Sequence, residues 1–271
     1  MNMDKKQILL TNDDGIHSPG LWAAAGQLAQ LGYVTVVAPR EQYSGAGRSL
    51  PSDSDGIIET KQVQVNGQDW TVYAVGGSPA QAVLHGALEI LPSKPDLVVS
   101  GINFGENLGT GVTVSGTVGA ALEAAGIGIP ALAISLETLI EHHYSLSDDV
   151  DFRVAAHFTG IFARILLAQD MPSDVDVLKV DVPIEATQET DWEITRISRV
   201  RLFETVPPQR ESWLTPEKIG YRFAKDFQKA EPGTDVHSLR INKTVSVTPL
   251  SLDLTSRINL QDLDLLFRTK E

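Results

Sequence analysis

A short apolar run, Ile8-Leu9-Leu10-Thr11, stops abruptly at Asn12-Asp13-Asp14-Gly15, the pattern of a buried strand that ends in a polar turn. Ser18-Pro19 then supplies an N-cap and a proline at the first helical position, and Leu21, Trp22, Ala25, Leu28 and Ala29 follow at helical spacing before Gly32. A second strand is expected over 33–37. The pattern recurs further on, with a third strand over 96–100, a helix over 117–125 and a fourth strand over 130–136. Alternating β and α elements predict an α/β protein with a parallel sheet covered on both faces.

Between these units, residues 57–65 and 70–75 alternate apolar and polar side chains around Asn66-Gly67, which predicts an antiparallel hairpin at the edge of the sheet. Ser78-Pro79 repeats the cap signature ahead of Val83, Leu84, Ala87, Leu88 and Leu91. A longer helix is expected over 151–168, with Val154, Ala155, Phe158, Ile161, Phe162, Ile165 and Leu166 on one face, followed by a core strand over 177–182. After Pro183 the character changes. Residues 192–203 and 245–254 look like strands separated by a polar stretch bearing Pro and Gly, so this last third is either a β-rich extension or an arm for self-association.

Composition narrows the function. The chain of 271 residues is 42% hydrophobic and 21% charged, enough apolar material for a large core and close to the globular average. Its formal net charge of −13 opposes binding to phosphate backbones or anionic lipid, so no nucleic-acid duplex and no membrane are expected as partners. No apolar signal core precedes Ile8, and the stretch 120–136 is interrupted by Glu123, glycines and Pro130, which predicts a cytoplasmic protein. Cysteine is absent, so any metal must be held by carboxylate, hydroxyl, amide or imidazole groups, a set that favours a hard cation.

In a parallel α/β sheet, ligands gather beyond the carboxyl ends of the strands. Three polar segments sit there. Asp13 and Asp14 place two carboxylates side by side, which repel unless a cation or another partner neutralises them; an ordinary turn with a helix cap is the plain alternative. Tyr43-Ser44-Gly45-Ala46-Gly47-Arg48-Ser49 offers a hydroxyl at Ser44 and close backbone approach at Gly45, although taken alone it reads more readily as an ordinary flexible loop. The third, Ser100-Gly101-Ile102-Asn103-Phe104-Gly105, continues through Asn107, Gly109 and Gly111 to Ser115-Gly116-Thr117. Asn103 carries a carbonyl oxygen suited to a metal, and amides at a helix start suit an anion. His17 is a candidate proton carrier with a structural role more usual for such a residue, whereas His142 and His143 read as a solvated loop.

These segments, Ile8 through His17, Tyr43-Ser44-Gly45, Ser100-Gly101-Ile102-Asn103, Asn107-Leu108-Gly109 and Ser115-Gly116-Thr117-Val118, resemble the SurE family, the survival-protein nucleotidases. The likeness runs over 8–136 and resumes at Gly233-Thr234-Asp235 and Val247-Thr248-Pro249-Leu250. It implies a Rossmann-like α/β core over 1–183, a β-rich C-terminal extension over 184–271 that partly returns to the core, and assembly into a homodimer or homotetramer. It further implies one divalent ion per subunit, Mg²⁺ or Mn²⁺, on Asp13, Asp14, Ser44 and Asn103, and hydrolysis of nucleoside 5′-monophosphates. Asn12, Gly45, Asn107, Ser115, Gly116 and Thr117 are the candidates for substrate and phosphate contact, and Asp13 and Asp14 for catalysis. The chain departs from the family pattern at Gly47, Pro51, Gln81, Gly111 and Val114.

Two competing functions remain in view. A receiver-like signalling module also sets an acidic pair after its first strand, but the positions after the later strands read Ser100-Gly101-Ile102-Asn103 and Ser135-Leu136-Glu137, without the required Asp and Lys. The other competitor is a nucleotide- and metal-binding regulatory protein of the same fold with weak or lost catalysis. Neither a Walker phosphate loop nor a complete G-x-G-x-x-G fingerprint is present.

Overall fold

The computed structural model describes residues 5–65 and 67–268. In chain order the main elements are β1 (Lys6–Thr11), α1 (Pro19–Leu28), β2 (Gly32–Pro39), β3 (Ile58–Val65), β4 (Gln68–Val75), α2 (Pro79–His85) and β5 (Leu97–Phe104). These are followed by α3 (Gly116–Gly126), β6 (Ala131–Leu136), α4 (Arg153–Ala168), β7 (Val177–Val182), β8 (Trp192–Ile194), β9 (Phe203–Val206), β10 (Gly220–Phe223) and β11 (Val245–Leu250). A C-terminal helix spans Leu260–Arg268. No described helix is long and apolar enough to cross a membrane.

Nine strands form one sheet in the order β3-β4-β2-β1-β5-β6-β7-β11-β8. The pairings from β4 through β2, β1, β5 and β6 to β7 are all parallel. The two-residue period of a strand sends Ile8 and Leu10 to one face, against Leu21 and Ala24 of α1 and Phe158 and Phe162 of α4. Leu9 points to the other face, with Ala82 and Val83 of α2 and Val118 and Ala121 of α3. Apolar burial on both faces is why these strands read as nearly continuous hydrophobic runs. The expected hairpin is present at the edge as β3 and β4, antiparallel over Ile58–Val65 and Gln68–Val75; Asn66 at its turn lies outside the described residues.

Two expectations fail for local reasons. The strand foreseen over 192–203 ends at Ile194, because the backbone beyond it turns to a buried carboxylate: Ser198 N–H donates to Asp235 Oδ1 at 2.8 Å. Phe203 instead opens β9, which pairs antiparallel with β10 in a separate two-stranded sheet. The strand foreseen to 254 stops at Leu250, where Asp176 Oδ2 accepts the Leu252 N–H at 2.6 Å. The C-terminal helix was not foreseen. β11, antiparallel to β7 and parallel to β8, brings the last third of the chain back onto the main sheet.

β5 runs four residues further than its apolar core suggests. Its register against β6 shifts between Ser100 and Asn103, an irregularity of the kind that re-aims side chains at a strand end. Gly101 is required there: its φ is +132°, and a Cβ would lie 2.2 Å from the Ile134 carbonyl oxygen.

Candidate active site

The turn after β1 is closed by Asn12, which spans Gly15 with both ends of its amide, donating to the Gly15 carbonyl at 3.0 Å and accepting the Gly15 N–H at 3.2 Å. The next two side chains go to different elements. Asp13 reaches the start of α3, where the Thr117 hydroxyl donates to it and the backbone of Gly116 and Thr117 lowers its pKa. Asp14 reaches the end of β5 and accepts the Phe104 N–H and the Gln42 amide, each at 3.1 Å.

Both carboxyls are almost wholly buried, at 4% and 2% exposure, and this decides their chemistry. Burial drives both pKa values up, with the charge of Asp13 adding to the rise at Asp14. Among the described residues no lysine, arginine or histidine forms an ion pair with either. Two adjacent buried acids without a basic neighbour are an incomplete electrostatic arrangement that a divalent cation completes. Asn103 suits the same role, since its NH₂ donates to the Gly105 carbonyl at 2.7 Å, turning the other end of the amide, Oδ1, to a further partner. Ser44 adds an exposed hydroxyl. The donor set is all oxygen, fitting a small hard ion rather than a soft one.

A cavity of about 290 Å³ opens at this strand end. Asp13, Ser44, Gly45, Asn103, Asn107 and Ser115 line it, so segments more than a hundred residues apart meet as the topology implies. The loop bearing Ser44 is pinned by Tyr43 N–H to the Asp13 carbonyl at 2.7 Å and by Gly47 N–H to the Val114 carbonyl at 3.0 Å. It lies so close to α3 that a Cβ on Gly119 would fall 2.1 Å from the Gly47 carbonyl oxygen.

Four of the expected site residues are absent from the cavity wall. Asn12 is spent on its turn, Asp14 is held by the Phe104 N–H and the Gln42 amide, and Gly116 and Thr117 turn toward the Asp13 carboxyl. At the start of α3 only Ser115 faces the opening, with its Oγ also accepting the Val118 N–H at 3.1 Å as helix cap. His17 is exposed and does not line the cavity.

His143, expected in a solvated loop, instead lines the cavity. Its Nδ1 pairs with the Tyr221 hydroxyl at 2.9 Å and its ring stacks on Tyr221, while Gln42 ties its carbonyl to Asp14 by donating to both. Desolvation pushes His143 down to about 4, with the backbone of Thr138 opposing in part, so the ring is neutral at physiological pH. Glu106, Tyr144, Arg201, Phe203, Thr205 and Tyr221 also line the cavity. The available signal for His143 was position, since its loop follows β6 at the same carboxyl-end rim. β9 and β10 carry no such marker.

The turn that presents Asn107 to the cavity is held by buried charge. Lys179 Nζ stands 2.5 Å from Asp181 Oδ2 and 3.4 Å from Asp235 Oδ2. The same two carboxylates accept the Asn107 N–H at 2.7 Å and the Gly109 N–H at 2.9 Å, which fixes the turn that presents Asn107.

A sequence model of the family described as "Survival protein SurE" matches residues 8–204. The chain belongs to the SurE family. It is 42% identical over 262 residues to "5'-nucleotidase SurE" of Thermococcus gammatolerans, covering 95% of this chain and 94% of that one. It is also 42% identical over 266 residues to the protein of the same name from Methanosarcina mazei, covering 95% and 96%. Among solved structures it resembles "Crystal Structure of Sure Protein from Aquifex aeolicus", with a TM-score of 0.71, 33% identity, and coverage of 96% of this chain and 99% of that one. Within this SurE protein two of the departures from the family pattern meet each other away from the cavity: Gln81 completes the capping box of α2 and donates to the Pro51 carbonyl at 2.9 Å. Gly111 and Val114 line the cavity itself.

Proposed function

We propose that the protein is a metal-dependent 5′-nucleotidase that hydrolyses nucleoside 5′-monophosphates to nucleoside and phosphate. The observation that carries this reading is the Asp13–Asp14 pair, buried without a basic partner beneath a cavity that Ser44 and Asn103 also line. In this reading Asp13, Asp14, Ser44 and Asn103 hold one Mg²⁺ or Mn²⁺. When bound, such an ion supplies positive charge against the phosphoryl oxygens, worth several kcal/mol in the transition state.

The chain's own groups do the rest. Ser115 and the Gly45 backbone face the opening and hold nonbridging oxygens, with Asn107 beside them. Asn12, Gly116 and Thr117 serve the phosphate indirectly by keeping the turn and the Asp13 carboxyl in place. Because Asp13 lines the cavity and Asp14 does not, Asp13 is the carboxylate placed to accept the proton of the attacking water. As the new phosphorus–oxygen bond forms, the ester bond breaks, and the leaving nucleoside oxygen takes its proton from solvent.

We place the protein in the cytoplasm as a homodimer or homotetramer. The exposed Trp213, Leu214, Leu260 and Phe267 are apolar surface available to a second copy, and light scattering reads the mass directly. The decisive test of function is phosphate release from AMP with Mn²⁺ and with chelator. Metal-dependent release supports the proposal; nucleotide and metal binding without release selects the regulatory alternative.

A further inference from the structure

One wall of the cavity carries hydrogen-bonding capacity that phosphate chemistry leaves unused. Glu106, just beyond β5, is 4% exposed and lines the cavity. Apart from a contact with its own backbone amide, neither carboxyl oxygen has a hydrogen-bond partner. The nearest cation, Arg240, stands 3.7 Å away and is already engaged by Glu137, with its guanidinium over the Phe223 ring at 4.8 Å. Leaving such groups unpaired is costly, and a ligand that pairs them recovers that cost on binding.

The surroundings say which part of a ligand belongs here. Phosphate is poorly suited to this wall, because Glu106 brings no positive charge and the Arg240 guanidinium beside it is already held by Glu137. Tyr221 and Phe203 instead present aromatic surface, packed edge to face at 5.5 Å. An uncharged, partly aromatic group that carries hydrogen-bond donors fits it.

We propose that Glu106 is a specificity-determining residue, its carboxyl oxygen accepting a hydrogen bond from the nucleoside half of the substrate while Tyr221 and Phe203 supply the apolar wall. The assignment rests on the nucleotidase reading above. A carbonyl oxygen of the carboxyl group accepts in either protonation state. Two donors on a nucleoside share the required chemistry, a ribose hydroxyl and the exocyclic amine of the base.

The test compares kcat/KM of the full-length parent, Glu106→Gln and Glu106→Leu in Mn²⁺ on AMP, 2′-deoxy-AMP, IMP and p-nitrophenyl phosphate, which has neither sugar nor purine. For Glu106→Leu the ratio of AMP to p-nitrophenyl phosphate should fall about tenfold or more, the effect of losing a buried hydrogen bond to a carboxylate. Glu106→Gln, which keeps an acceptor oxygen, should retain a larger share of that ratio. Loss of the parent's preference for AMP over 2′-deoxy-AMP identifies the sugar hydroxyl as the donor, and loss of its preference over IMP identifies the amine. If both variants keep every parental ratio, or all substrates fall in parallel, Glu106 does not select substrate and the inference is overturned with the nucleotidase intact. A parent that releases no phosphate from AMP overturns both.

Discussion

Replacing Lys179 with methionine keeps most of the side-chain length and removes the charge, leaving Asp181 and Asp235 buried together with no counter-ion. All three side chains are at most 1% exposed, so water cannot substitute for the lost ammonium. At an effective dielectric of about 20, contacts of 2.5 and 3.4 Å correspond to roughly 5–7 kcal/mol each of attraction before desolvation is charged against them. Removing one partner of a buried pair costs about 3–5 kcal/mol, a large share of the roughly 5–15 kcal/mol that holds a domain folded. Urea unfolding at neutral pH measures the loss as a drop in midpoint with little change in slope. The pH dependence gives a second check. Burial already raises the Asp181 carboxyl in the intact protein, and without Lys179 only the Asn107 N–H opposes that rise while the charge of Asp235 adds to it. Its folded pKa then exceeds the unfolded value of about 3.9, so the variant loses stability as pH rises above that value and recovers it on acidification. A loss below about 1 kcal/mol, or a deficit indifferent to pH, would refute the electrostatic account of this cluster.

The remaining predictions concern the cavity. Asp13→Asn and Asp14→Asn should each lower phosphate release by about two orders of magnitude or more while circular dichroism is unchanged, and in chelator both should melt above the parent because a buried, repelling carboxylate is gone. Ser44→Ala should weaken Mn²⁺ binding in calorimetry by less than either Asp substitution, since a neutral ligand contributes less attraction than a carboxylate; unchanged affinity excludes Ser44 as a ligand. Glu106 is pushed from 4.5 up to about 8 by burial, with the charge of Glu137 adding to the rise, so this carboxyl costs stability as pH rises between those values. Glu106→Gln should therefore gain on the parent in denaturation midpoint from pH 5 to pH 8, and parallel curves would count against the shift.

The parallel core was legible because its information is local: Ile8 to Thr11 and 130–136 are apolar at strand length, and Ser18-Pro19 and Ser78-Pro79 announce helices chemically. The acidic pair, Ser44 and Asn103 were legible for a second reason, that strand ends converge in this topology whatever the loops contain. The failures are tertiary. Ser198 departs from strand geometry for the sake of Asp235, 37 residues later, and a buried Lys179 in β7 looks like any alternating strand position until its two acids are in place. Tyr221 and Phe203 reach the cavity through a hairpin docked from a distant part of the chain, and no pattern within 203–223 encodes where that hairpin lands. The C-terminal helix was a missed signal of another kind, since Leu260, Leu263 and Phe267 recur at helical spacing although none of the helix is buried.

The return of the chain through Asp235 and β11 has a consequence for synthesis on the ribosome. Every loop bearing Asp13, Ser44, Asn103 and Ser115 emerges in the first half of translation, yet the carboxylate that anchors Gly109 arrives only at position 235. Until Val245–Leu250 follows, the flank of β7 is an open edge able to pair with a neighbouring nascent chain. The growing polypeptide thus carries the parts of the proposed catalytic centre well before it can lock them, and through that interval the β7 edge stays unpaired.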